Sequence, residues 1–187
     1  MRQLLFVHSA GPQGRREGSG WFVASLRKAL GAQYELRSPI MPDPDKPAYA
    51  PWKERLEKEL AALEDEAIVV GHSLGGSVVL KVLSETKHTR PIAGIFLVAT
   101  PFWGGSGGWQ VEEFALRKDF AAGLPKTPRF FLYHSRDDDV VPFAHLALYS
   151  GALPRATVRE LDGYGHLFKK SCPELVGDIR TCDMTRK

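Results

Sequence analysis

Residues 67–76 read Ala67-Ile68-Val69-Val70-Gly71-His72-Ser73-Leu74-Gly75-Gly76. The apolar run 67–70, closed by glycine, has the length and content of a buried strand. Val78, Val79, Val82 and Leu83 recur at helical spacing and predict a helix over 74–86. Between strand and helix lies a G-x-S-x-G turn. A serine hydroxyl is a poor nucleophile until the backbone aims it and a base takes its proton. A turn sharp enough to aim it tolerates only glycine two residues to either side, because a Cβ there would clash. The same turn sets N–H groups of the new helix where they stabilise negative charge on a reacting carbonyl. The pattern points to a nucleophile at Ser73 and an oxyanion donor at the Leu74 N–H.

The same strand-then-helix order runs along the chain in both directions. Strands are predicted at 4–8, 34–37, 92–99, 130–134 and 158–161, and helices at 21–30, 52–64, 111–121, 143–150 and 174–182. Pro39, Pro42, Pro44, Pro47 and Pro51 make an extended loop before the second helix, with Pro51 as that helix's first residue. Strands alternating with helices imply an α/β fold of three layers: a six-stranded, mostly parallel sheet with helices on both faces. The 187 residues suit a single domain over 1–187. The stretch 100–128 breaks the rhythm. It opens Thr100-Pro101-Phe102-Trp103-Gly104-Gly105-Ser106-Gly107-Gly108-Trp109 and follows the C-terminal end of a strand, where open α/β sheets bind ligands. It reads equally as a small lid or pocket wall, with Phe102, Trp103 and Trp109 facing substrate, and as a surface loop whose aromatics complete the core.

Composition narrows the class. Hydrophobic residues make up 43% and charged residues 25%, with a net charge of +3, and the two signs are interspersed rather than blocked. This is a mixed, solvated surface and not a nucleic-acid patch. No apolar run approaches the ~20 residues of a membrane span, and no secretory signal is evident, so a cytoplasmic location is expected. Cys172 and Cys182 lack the spacing of a zinc site and are expected to be unpaired thiols. No metal or cofactor is expected.

A serine nucleophile needs an imidazole base, and the base needs a carboxylate to fix its tautomer. Asp137, Asp138 and Asp139 directly follow the strand 130–134, and any one of them could supply the carboxylate. His166 follows the strand 158–161, between Gly163 and Gly165 on one side and Leu167 on the other, in a loop able to turn the ring inward. Of the other histidines, His8, His72 and His88 precede the acid, His134 ends a strand just before it, and His145 falls in a helix expected to carry it away from the turn. A second oxyanion donor is expected after the first strand, at Ser9 or Ala10, next to Gly11.

With these residues in place the chain resembles the α/β-hydrolases, and in particular the small single-domain serine hydrolases of the retinoblastoma-binding type and their bacterial relatives. The likeness rests on the His8 strand, on Met41-Pro42-Asp43-Pro44 followed by Trp52, on Gly71-His72-Ser73-Leu74-Gly75, on Ser135-x-x-Asp138-x-x-Val141-Pro142, and on Gly163 to His166. It implies a minimal hydrolase sheet with little cap and a cofactor-free mechanism. It also implies that Asp138 is the acid among the three, that Ala10 gives the second oxyanion N–H, and that Ser9 and Val141 lie beside substrate. The chain departs from the family at Ser9 and Ser135, where glycine is usual. The expected function is hydrolysis of a small carboxylic ester, thioester or amide by Ser73, His166 and Asp138, in a monomer or homodimer whose partner is a small acyl substrate. Two other expectations stand beside it: a protein-binding module on this fold with little turnover, and acyl transfer or peracid chemistry by the same three residues.

Overall fold

A computed structural model of the protein describes residues 1–88, 90–104, 108–126 and 128–182. Six strands, β1 (Arg2–Val7), β2 (Tyr34–Arg37), β3 (Ala67–His72), β4 (Ile92–Val98), β5 (Arg129–Ser135) and β6 (Thr157–Leu161), form one sheet in the order β2-β1-β3-β4-β5-β6. Every pairing is parallel. Parallel neighbours need crossovers, and the helices supply them: α1 (Gly20–Leu30), α2 (Tyr49–Ala61), α3 (Leu74–Glu85), a short α4 (Phe120–Gly123), α5 (Ala144–Ala152) and α6 (Pro173–Thr181).

Strand side chains alternate between the faces, so each strand feeds two cores. Leu5, Val7, Val69, Ile95, Leu97 and Leu132 pack with Trp52, Leu56 and Leu60 of α2, Val78, Val79 and Val82 of α3, and Leu146 and Tyr149 of α5. Leu4, Phe6, Ile68, Val70, Phe96, Val98, Phe131 and Tyr133 pack with Phe22, Val23 and Leu26 of α1 and Leu175, Val176 and Ile179 of α6. A sheet covered on both faces needs strands apolar at every position, which is why 67–70 and 92–98 read as unbroken apolar runs. The edge strands β2 and β6 are the exceptions, β6 the more exposed of the two. Arg159 of β6 lies outward and pairs in bidentate fashion with Asp178 of α6, whose carboxylate also accepts from Tyr133 Oη at 2.6 Å. A charged edge of this kind discourages pairing with another chain.

Two expectations are corrected. The second helix begins at Tyr49, so Pro51 is its third residue; the first-turn N–H groups have no intrahelical acceptor, and proline is tolerated there as well. The helix predicted over 111–121 does not form. Residues Glu112–Phe114 make one 3₁₀ turn, and α4 begins only at Phe120. Phe114 and Phe120 are both buried in the same core cluster. On one continuous helix, residues six apart point about 120° away from each other, so burying both requires the chain to break between them. Gly123 then passes so close to the Ser84 carbonyl that a Cβ there would lie 2.3 Å from it. Residues 105–107 and 127 of the expected lid, and 183–187 of the expected domain, lie outside the described residues.

Candidate active site

Ser73 sits between the last residue of β3 and the first of α3 with φ 52° and ψ −123°, a conformation that L side chains seldom adopt. The flanking glycines show why the turn holds. A Cβ on Gly71 would come 2.5 Å from Gly76 Cα, and one on Gly75 would come 2.4 Å from the carbonyl oxygens of Val7 and His8. These contacts are backbone to backbone, so no side chain can move aside. Gly75→Ala is therefore expected to cost about 3 kcal/mol of stability through overpacking, read as a lower urea midpoint at unchanged m-value. An unchanged midpoint would show that the β1–α3 contact is looser than drawn.

The other candidate groups follow β1, β4, β5 and β6 at the same, C-terminal edge of the sheet. His166 Nδ1 lies 3.0 and 3.1 Å from the two Asp138 oxygens. A carboxylate only accepts, so Nδ1 carries the proton and Nε2 is left as the basic nitrogen. The Asp138 side chain is fully buried and receives further donors: Val140 N–H at 2.9 Å, Val141 N–H at 2.8 Å and His134 Nε2 at 3.1 Å. Burial alone would raise its pKa, but the hydrogen bonds from His134 and His166 prevail and hold the carboxyl well below the usual range.

The three aspartates have separate duties. Asp137 Oδ1 accepts the N–H groups of Gly163 and Gly165 and a short hydrogen bond from the Ser135 hydroxyl, which itself accepts the Tyr164 N–H. Asp137 and Ser135 thus tie down the backbone of the loop that carries His166. Asp138 meets the imidazole, and Asp139 stays exposed. His72, next to Ser73, donates from Nε2 to the His166 carbonyl at 2.8 Å, and the two rings lie 5.2 Å apart. Its Nδ1 is buried with no partner. The structure therefore joins His166 to Asp138 and to the residue before Ser73. Among the described residues the Ser73 hydroxyl itself makes no hydrogen bond, to His166 or to any other group.

At the end of β1, His8 Nδ1 is 3.1 Å from Ser19 Oγ. Burial pushes its pKa down to about 4, against a weaker opposing hydrogen bond with the Ser38 backbone. Burial pushes His72 down as well, helped by repulsion from His166. In the unfolded chain both titrate near 6.5. As pH falls below that value the unfolded state takes up protons that the native state refuses, so stability is lost. For His8 the loss approaches about 3 kcal/mol by pH 4. The expected result is a urea midpoint that is flat above pH 7 and declines from pH 6.5 to 4, less steeply in His8→Gln. Carboxylates such as Asp138, with lowered pKa, add their losses only at more acid pH. A midpoint constant down to pH 4.5 would contradict this account.

The loop after β1 spends most of its backbone polar groups internally. Ser9 N–H donates to Ser19 Oγ at 3.0 Å, and the two hydroxyls lie 2.9 Å apart. The Ser9 carbonyl accepts from Gln13 Nε2 at 3.0 Å, and Gly11 N–H donates to the Pro44 carbonyl at 2.7 Å. Ser9 is buried, and its N–H, carbonyl and hydroxyl each have a partner within the protein. Ala10 is exposed, and its N–H has no acceptor among the described residues.

The aromatic stretch packs onto the core. Phe102 and Trp103 are half-buried against the α2–α3 side of the sheet, and Trp103 Nε1 donates to Ser77 Oγ at 3.0 Å. Trp109 packs edge-on against Trp103 and His145. His145, expected to be carried away from the acid's turn, meets the aromatic stretch instead of solvent. It is buried, and its Nδ1 accepts the Phe102 N–H at 2.8 Å, which clamps this stretch to α5. Val141 is fully buried; it serves the acid through its N–H and so is not a lining residue. A cavity of about 390 Å³ opens beside the base, lined by Asp139, residues 163–167, Lys169 and Lys170. A larger one, about 730 Å³, lies at the starts of β5 and β6, the opposite edge from Ser73. Among the described residues no three His, Cys, Asp or Glu side chains are grouped to hold a metal ion, and no helix is long and apolar enough to cross a membrane.

Residues 10–173 match a family model described as serine hydrolase. No curated protein matches the sequence. Among solved structures, the ydeN gene product from B. subtilis superposes with a TM-score of 0.82 at 20% identity, over 99% of this chain and 100% of that one. The esterase domain of a Rhodothermus marinus protein gives 0.62 at 19% identity, over 95% and 82%. A predicted CIB-like hydrolase from Thermoplasma acidophilum gives 0.66 at 20% identity, over 99% and 86%. Likeness at these identities concerns the fold: a minimal α/β-hydrolase sheet.

Proposed function

The chain belongs to the serine hydrolase family, and on that footing we propose that it cleaves small carboxylic esters through Ser73, His166 and Asp138. The observation that carries this reading is the buried Asp138 carboxylate at 3.0 Å from His166 Nδ1, in a loop hydrogen-bonded to the residue preceding a strained serine. Ser73 Oγ attacks the ester carbonyl as His166 Nε2 takes its proton. The carbonyl oxygen becomes an oxyanion facing the N–H groups of Leu74 and Ala10. Leu74 is the first residue of α3, so its N–H has no intrahelical acceptor. Collapse expels the alkoxide, which leaves as the alcohol with the proton from His166. Water, deprotonated by the same nitrogen, then attacks the acyl-enzyme and releases the acid and Ser73. Asp138 stabilises the imidazolium in both halves. The Ser73–His166 hydrogen bond forms when substrate orders the site, as catalytic bonds commonly tighten on binding.

A fluorophosphonate probe tests the nucleophile directly. The folded protein is expected to take up one equivalent, mapped by mass spectrometry to the peptide holding Ser73, and to hydrolyse p-nitrophenyl acetate and butyrate. Folded protein that is neither labelled nor active would overturn the reading. Product analysis in the presence of an alcohol or peroxide separates hydrolysis from acyl transfer.

A further inference from the structure

We infer that Gln13 is a positioning residue for the oxyanion hole: its side-chain amide holds the Ser9–Ala10 peptide so that the Ala10 N–H faces the reacting carbonyl. The inference rests on the ester-hydrolase reading above and adds a residue that the chemistry alone does not name.

Gln13 is 7% exposed, and both ends of its amide are engaged: Nε2 donates to the Ser9 carbonyl at 3.0 Å, and Oε1 accepts the Met41 N–H at 2.8 Å. The amide cannot be turned over, because the Met41 N–H only donates and the Ser9 carbonyl only accepts. In a trans peptide the C=O and the next N–H point in opposite directions. Gripping the Ser9 oxygen from one side therefore aims the Ala10 N–H to the other. The neighbouring N–H groups, of Ser9 and Gly11, already have acceptors, whereas the Ala10 N–H has none among the described residues. The loop also lies against the nucleophile turn. The Val7 and His8 carbonyls come so near Gly75 that a Cβ there would be 2.4 Å away. A donor on the Ser9 oxygen further polarises the N–H of the same amide.

A purely structural tie predicts something different. If Gln13 only linked the loop to Met41, its loss would lower stability and leave the chemical step alone. Gln13→Met removes both hydrogen bonds at similar volume. Gln13→Glu keeps the acceptor for Met41 but sets a carboxylate against the Ser9 carbonyl. Losing a whole oxyanion donor costs about 10²–10³ in rate, and a misaimed one is expected to cost about 10–100-fold in kcat, in both variants, with KM within about twofold. The dissociation constant of phenylboronic acid, whose tetrahedral adduct on Ser73 puts an oxygen in the hole, should rise by the same factor as kcat/KM falls. In the wild-type protein labelled with ¹⁵N, the Ala10 amide resonance should shift on boronate binding together with that of Leu74.

Wild-type kcat in Gln13→Glu, or a lower melting temperature with kcat intact in either variant, overturns the inference. So does a silent Ala10 amide beside a responding Leu74, a result that needs no variant to fold. Wild-type protein with neither turnover nor boronate binding instead overturns the hydrolase reading itself, and this inference falls with it.

Discussion

Ser73→Ala is expected to keep the fold and lose about 10⁵–10⁶ in ester turnover, because the residual rate then comes from binding and the oxyanion donors alone. The loss should be wholly kinetic. The Ser73 hydroxyl makes no hydrogen bond among the described residues, so its removal leaves no buried partner stranded. The melting temperature is expected to stay within about 2 °C of wild type, since alanine accepts the same turn and no interaction is lost. Ser73→Gly goes further: glycine tolerates a φ of 52° without penalty, so this inactive variant should gain about 1 kcal/mol. Turnover by Ser73→Ala within about a hundredfold of wild type would mean that another group is the nucleophile. A Ser73→Gly variant less stable than wild type would mean the turn is relaxed rather than strained.

Asp138→Asn should lower kcat by about 10⁴ and destabilise the protein as well. The carboxylate accepts from two sides: Val140 and Val141 N–H on Oδ1, and the rings of His166 and His134 on Oδ2, with His166 also in reach of Oδ1. An asparagine that keeps its oxygen toward the backbone turns its NH₂ toward both imidazoles. Two donors then face each other, and His166 must move its proton to Nε2 to accept at Nδ1. In that tautomer it cannot take the Ser73 proton. His134 loses one acceptor but keeps the Val141 carbonyl at 3.0 Å, so the stability cost should be about 1–3 kcal/mol rather than unfolding. Kinetics and a urea melt on the one variant measure both effects. A kcat within tenfold of wild type would reassign the acid, with Asp137, which already accepts from Gly163 and Gly165 N–H in the loop of His166, the first candidate to replace it.

The candidate site was unevenly legible in the chain. Asp138 could be separated from Asp137 and Asp139 by family pattern but not by composition, because three adjacent carboxylates differ only in where the turn points them. His134 and His145 read as bystanders. One proves to be a second donor to the acid and the other a clamp on Phe102, and neither role has a local pattern, since each is created by a strand or helix meeting a distant loop. The helix expected at 111–121 failed for a related reason. Its periodicity is real, but Phe114 and Phe120 are claimed by one core, and tertiary burial outweighs local propensity. Nor could the chain show that the polar groups of Ser9 find Ser19 and Gln13, side chains four to ten residues away that no motif links to it.

What the amino-acid order determined unaided was everything carried by short-range periodicity and steric exclusion. Unbroken apolar runs make doubly covered parallel strands, and glycines at 71 and 75 permit a backbone that no other residue could follow, so the sheet and the aimed serine were readable from neighbours alone. What only the folded molecule decided was which groups meet: that residue 166 presents one nitrogen to a buried carboxylate, that residue 72 holds its carbonyl, and that the peptide after Ser9 has a free N–H. Those are matters of angle between segments up to 94 residues apart, and a hydrogen bond depends on direction in space, which a linear pattern does not carry.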